Sequence, residues 1–187
     1  MKTAIILHGM PSKEEYYSPK SESMSNKHWF PWLQRQLLLK DILAQTPEMP
    51  KAYEPDYKEW CKVFEQFSID EETILVGHSC GAGFLVRWIS ENDIKVGKVV
   101  LVAPWLDPEK MLTNGFFDFE IDKKLISKTN GLTILGSDND EWYIPATIKT
   151  IRDTLPEAKY IEIPGYGHFV MSSMKSREFP ELLDIMI

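Results

Sequence analysis

Two cysteines, Cys61 and Cys80, are all that the 187 residues carry. They fall in two different stretches of helical spacing, and a chain of this length buries roughly 70% of the surface its unfolded form exposes, so it needs no covalent staple. Free thiols are expected. Long apolar runs are missing as well. The N-terminal "MKTAIILHGM" has only a short apolar stretch before His8, too short for a signal-peptide core or a spanning helix. Positive charge is in deficit: 21 Lys and Arg stand against 28 Asp and Glu, a formal charge of −7. No dense basic cluster reverses that sign locally, so neither nucleic acid nor an anionic membrane surface is an expected partner. The HExxH and clustered Cys/His patterns of zinc sites are absent, and no metal or other cofactor is expected. These absences point to a soluble, cytoplasmic chain, and its length suits one domain over residues 1–187.

Apolar runs of strand length recur at Thr3–Leu7, Asp41–Ala44, Thr73–Gly77, Lys98–Val102, Leu132–Gly136 and Lys159–Ile163. Several are rich in Val, Ile and Leu without strict alternation, as expected of strands covered on both faces. Between or after them come segments with helical spacing: "HWFPWLQRQLLLKD", "DYKEWCKVFEQF", "GAGFLVRWISEND", "ATIKTIRDTL" and "EFPELLDIMI". Strand and helix in alternation predict an α/β fold, about six mostly parallel strands with helices on both faces. Two stretches break the alternation. Residues 10–27 are polar and read as a flexible loop; residues 104–127 mix aromatics with acids and read as a small cap beside a site.

The segment "TILVGHSCGAGFLVRW" carries the chemistry. A strand-to-helix turn tight enough to expose its apex leaves no room for side chains two positions to either side, and Gly77 and Gly81 supply that room around Ser79. The apex is then strained, with its oxygen above the sheet end and the first amides of the helix beside it. Ser79 is the candidate nucleophile. Its neighbour His78 should point away from the Ser79 oxygen and is read as a packing residue.

A serine hydroxyl needs a base within hydrogen-bond reach and a carboxylate to orient that base. "KYIEIPGYGHFV" ends a strand in a glycine loop that carries His168, and "GLTILGSDNDEWYIP" ends another in a loop holding Asp138, Asp140 and Glu141. The order serine, acid, histidine is that of the α/β-hydrolase arrangement. Two backbone donors should face the developing oxyanion: Cys80 N–H, next after the serine, and Met10 N–H, in the loop after the first strand where Gly9 permits an unusual turn. Trp105, just past the fourth strand, is the aromatic expected near substrate.

With "HG" after strand one, then "HWFPWLQRQL", "ILVGHSCGA", "LVAPWLDP", "GSDNDEWYIP" and "GYGHF" in order, nearly the whole chain resembles the small serine hydrolases typified by retinoblastoma-binding protein 9 and its bacterial relatives. That resemblance implies a compact α/β-hydrolase fold with a minimal cap, a Ser-Asp-His triad, and activity on small ester or amide acyl groups. It makes Ser79 the nucleophile and His168 the base. Counted from the strand end at Gly136 the acid is Asp140; counted back from Pro145 it is Glu141. The strand end fixes the loop's start, so Asp140 is the expected acid. The 10–27 loop is longer and more charged than the short glycine-rich loop of that family.

The expected function is hydrolysis of carboxylic esters or related acyl compounds through an acyl-enzyme on Ser79, with peptidase and thioesterase activity as variants and a small-molecule acyl compound as partner. The alternative is a catalytically weak or inactive scaffold that binds a protein or ligand on an aromatic face of Trp29, Phe30, Trp32, Trp105, Phe116 and Phe117. No sequence feature marks a protein partner.

Overall fold

The computed structural model describes residues 1–187, and in it all six apolar runs are strands of one sheet. β1 (Lys2–Leu7) leads through α1 (Lys13–Tyr17) and a 3-10 turn at Met24–Asn26 into α2 (Phe30–Leu38). Then come β2 (Ile42–Gln45), α3 (Tyr57–Phe64), β3 (Ile74–His78) and α4 (Cys80–Glu91). β4 (Val99–Val102) is followed by a long excursion that ends in a 3-10 turn at Leu125–Lys128, then by β5 (Leu132–Gly136) and α5 (Tyr143–Thr154). β6 (Lys159–Glu162), α6 (Met171–Met174) and α7 (Pro180–Met186) complete the chain.

Every pairing is parallel, in the order β2-β1-β3-β4-β5-β6. β3, β4 and β5 are buried along their whole length, which explains why their apolar residues do not alternate with polar ones, whereas edge strand β2 alternates buried Ile42 and Ala44 with exposed Leu43 and Gln45. Because β2 lies on one side of β1 and β3 on the other, right-handed crossovers send the helices after β1 and after β3 to opposite faces. On one face Trp60 of α3 packs at 5.6 Å from Phe84 of α4, and Phe64 at 4.9 Å edge-on to Trp88. On the other, Trp29 at the start of α2 meets Phe179 at the start of α7, 5.6 Å away and edge-on. The buried side chains form one contiguous cluster. The chain parts at the C-terminal ends of β1 and β3, where α/β sheets place their sites.

Residues 10–27 are not an uninterrupted loop. Their polarity serves local hydrogen bonds. Ser12 caps α1 by accepting from Glu15 N–H at 3.1 Å, Lys27 pairs with Glu15, and the Glu48 carboxylate accepts from the amides of Met24 (3.0 Å) and Ser25 (2.8 Å).

Residues 104–127 are mostly irregular chain packed on α4. Gly83 makes this possible: a Cβ there would sit 2.0 Å from the Trp105 carbonyl oxygen. Arg87 of α4 ties the segment down, donating from Nη1 to the carbonyls of Gly115 (2.6 Å) and Phe116 (2.7 Å) while its guanidinium stacks 3.7 Å above the Tyr57 ring.

The proposed aromatic face does not exist as a surface: Trp29, Phe30, Trp105 and Phe116 are buried, and Trp32 and Phe117 are partly buried. Packing the two helical layers consumes them. Both cysteines are free, and burial pushes both thiols up, so neither is a ready thiolate. No helix is long and apolar enough to cross a membrane.

Candidate active site

β3 is buried and runs straight into α4, so residue 79 must turn the chain at once. Ser79 does so with φ 53° and ψ −118°, a left-handed conformation that a non-glycine residue adopts at a cost of about 1–3 kcal/mol and that clusters at functional sites. Two glycines make the turn feasible. A Cβ on Gly77 would lie 2.4 Å from Ala82 Cα, and one on Gly81 would lie 2.5 Å from the His8 carbonyl oxygen at the end of β1. The buried turn therefore brings the ends of β1 and β3 together with Ser79 at its crest.

The loops after β5 and β6 grip each other residue by residue. Asp138 accepts from Gly165 N–H (2.7 Å), Ser137 Oγ from Tyr166 N–H (3.0 Å), and Asn139 Oδ1 from Gly167 N–H (2.8 Å). The fourth contact is between side chains: His168 Nδ1 stands 3.1 Å from each carboxylate oxygen of Asp140. Gly165 and Gly167 have φ 79° and 52°, conformations that let the loop fold back onto the acids. Asp140's side chain is 1% exposed and His168's 28%, so this pair is shielded on the acid's side and open on the imidazole's. Of the three competing acids, Asp140 is the one that reaches His168. Asp138 holds backbone instead, and Glu141 is exposed and gives its own N–H to Asp140 at 2.7 Å. Asp140 as acceptor leaves the proton on Nδ1 and turns the Nε2 lone pair outward.

Two further side chains hold this loop from beneath. His78 donates from Nε2 to the His168 carbonyl (2.8 Å), and Trp29 donates from Nε1 to the Phe169 carbonyl (2.9 Å). His78 is thus more than the packing residue expected. Burial, and then the neighbouring charges of His168 and His28, holds its pKa well below the usual range, so it stays a neutral donor. Neither role carries a sequence signal, since the partner of each is a backbone carbonyl. The phrase "HWFPWLQRQL" pointed to Trp29 only as part of a resemblance.

Ser79, His168 and Met10 line two adjoining clefts. One, of about 220 Å³, is completed by Trp105, Met111, Tyr143 and Glu109. The Trp105 indole N–H is buried without a hydrogen-bond partner. The other, of about 270 Å³, includes Glu15, His28, His78 and Ser172. The Met10 amide makes no backbone hydrogen bond, and Cys80 N–H is the first of α4, where no carbonyl lies one turn back in the helix. Gly9 lets the Met10 strand end approach: a Cβ there would lie 3.0 Å from Ser79 Cβ. Ser79 Oγ and His168 make no hydrogen bond with each other here, a contact that is commonly long until substrate binds.

The profile of the serine hydrolase family matches residues 19–185. The chain belongs to that family. It is 27% identical over 169 residues to the YdeN protein of Bacillus subtilis, covering 85% of this chain and 87% of the relative. The solved structure of the ydeN gene product superposes with a TM-score of 0.83 at 22% identity, over 99% of this chain and 96% of that one. Est1E of Butyrivibrio proteoclasticus with bound ferulic acid gives 0.67 at 15% identity, over 100% and 86% of the two chains. A serine hydrolase involved in carbazole degradation, the CarC enzyme, gives 0.59 at 14%, over 98% and 88%. These likenesses show the α/β-hydrolase fold.

Proposed function

We propose that the protein is a cofactor-independent serine hydrolase of small carboxylic esters, of the retinoblastoma-binding protein 9 type, acting through an acyl-enzyme on Ser79. The observation that carries this reading is the approach of His168 Nδ1 to both oxygens of a solvent-shielded Asp140, 3.1 Å each, in a loop beside Ser79's two clefts. In this reading His168 Nε2 takes the Ser79 proton as Oγ attacks the substrate carbonyl carbon. The carbonyl π electrons move to oxygen, facing the Met10 and Cys80 amides, and Asp140 stabilises the imidazolium that forms. Collapse expels the alcohol, which takes the proton from Nε2. Water then repeats the sequence and frees the acid.

Met10, Trp105, Met111 and Tyr143 give the smaller cleft its apolar lining, suited to a short acyl chain. The membership of the family supports hydrolysis. A series of p-nitrophenyl esters of increasing acyl length tests the reading. Saturable turnover of the short esters, falling as the chain outgrows the cleft, is expected; rates no higher than the protein-free blank across the series would refute it.

A further inference from the structure

The two clefts at Ser79 differ in chemistry. The one lined by Trp105, Met111 and Tyr143 is the more apolar, with Glu109 as its carboxylate, whereas the one lined by Glu15, His28 and Ser172 is the more polar. His28 is held in a particular way. Its backbone has φ 54°, and its Nδ1 accepts the Met171 N–H at 3.2 Å. An imidazole whose Nδ1 accepts from an amide carries its proton on Nε2, and that N–H has no partner in the protein. Burial, followed by the charge of Lys27, pushes the ring down to a pKa of about 4, so the neutral tautomer persists at neutral pH. Glu15 supplies a carboxylate that its ion pair with Lys27 holds in place. The cleft thus offers a fixed neutral donor and a fixed anionic acceptor beside Ser79 and His168.

We infer that this polar cleft receives the leaving group, that His28 is a specificity-determining residue, and that the substrates are short-chain esters of polyhydroxy alcohols. The inference rests on the esterase reading above. An alcohol with a second hydroxyl can accept from His28 Nε2–H and donate to the Glu15 oxygen that Lys27 does not hold, whereas a simple alkyl alcohol makes neither contact.

The assignment of leaving group rather than acyl group to this side follows from the second half of the reaction. When the tetrahedral intermediate collapses, the C–O bond to the alcohol breaks, its electron pair goes to the alcohol oxygen, and His168 Nε2 delivers the proton. Deacylation is the same path reversed with water in the alcohol's place, so water must occupy the position the alcohol left. The cleft with Glu15, His28 and Ser172 solvates that water better than the cleft of Trp105, Met111 and Tyr143, whose one carboxylate is Glu109.

The test compares glycerol monobutyrate with ethyl butyrate, which share the acyl group, in wild type, His28→Asn and His28→Gln. Asparagine tolerates a positive φ and can replace Nδ1 as acceptor without reaching the position of Nε2. Glutamine reaches that position with an N–H. The wild type should favour the glycerol ester. The ratio of kcat/KM for the two esters should fall about fivefold in His28→Asn, the order of one net hydrogen bond, and recover substantially in His28→Gln. A ratio unchanged in His28→Asn, or a preference in the wild type for ethyl 3-hydroxybutyrate over the glycerol ester, would overturn the inference while leaving the esterase reading intact. Absence of turnover on all three esters, together with no labelling of Ser79 by a fluorophosphonate, would overturn both.

Discussion

Replacing Asp140 by asparagine changes one oxygen to an NH2 group, and the surroundings dictate how that amide must sit. The carboxylate now accepts Glu141 N–H at 2.7 Å and faces His168 Nδ1 at 3.1 Å. An asparagine Oδ1 would keep the Glu141 amide and still lie 3.1 Å from Nδ1, but the NH2 group in the place of Oδ2 lies equally close. Where that NH2 donates to Nδ1, the ring proton moves to Nε2 and the nitrogen toward Ser79 can no longer take a proton; where Nδ1–H stays on the oxygen, no carboxylate charge is left to stabilise the imidazolium. Neutralising a triad carboxylate in this way lowers kcat by about three to four powers of ten, equivalent to about 4–5.5 kcal/mol in the barrier. With the Asp140 side chain only 1% exposed, water cannot compensate, and the upper part of that range is expected. Asp138→Asn keeps an oxygen for Gly165 N–H, and Glu141→Gln alters an exposed side chain, so each should cost less than about tenfold. The assay is kcat for all three variants on one p-nitrophenyl ester, with Tm measured alongside so that lost structure is not read as lost chemistry. Asp140→Asn within tenfold of wild type at unchanged Tm would refute the reasoning, as would a crippled Asp138→Asn or Glu141→Gln beside a normal Asp140→Asn.

His78→Leu strands the partly buried carbonyl of His168, a loss of about 1 kcal/mol or more; kcat should drop about tenfold with little change in KM, and His78→Gln, which can restore the donor, should recover most of it. Equal losses in both variants would mean that His78 does not act through that hydrogen bond. Acid should weaken the fold through His8, His28 and His78, whose pKa values are lowered in the folded state, first of all by burial. Their unfolded counterparts bind protons below a pH of about 6.5, so stability is full above that value and is lost as pH falls through and below it. Tm should therefore decline on acidification from about pH 7 to 5, and a flat or rising Tm would contradict it.

The strands were legible because burial on both faces leaves a mark in composition: β4 is a continuous run of Val and Leu, and β3 and β5 are mostly aliphatic without alternation. The elbow was legible because Gly77 and Gly81 are sterically required. The acid was harder, since Asp138, Asp140 and Glu141 crowd one loop, and only the pairing of residues 137–140 with 165–168 separates them. The contributions of His78, Trp29 and His28 were hidden, because each acts on a main-chain group distant in sequence, and residue type does not announce such a partner. Residues 10–27 misled for a related reason. Polar side chains that cap α1 and pair Lys27 with Glu15 look the same in sequence as those of a solvated loop.

The proposed mechanism requires Ser79 to be an activated nucleophile. A fluorophosphonate probe phosphonylates such a serine and spares ordinary hydroxyls, and peptide mass spectrometry locates the adduct. Near-stoichiometric labelling at Ser79 is expected, abolished in Ser79→Ala and strongly slowed in His168→Ala, with all three proteins folded. Labelling that persists in Ser79→Ala, or a folded wild-type protein that takes up no probe, would contradict it.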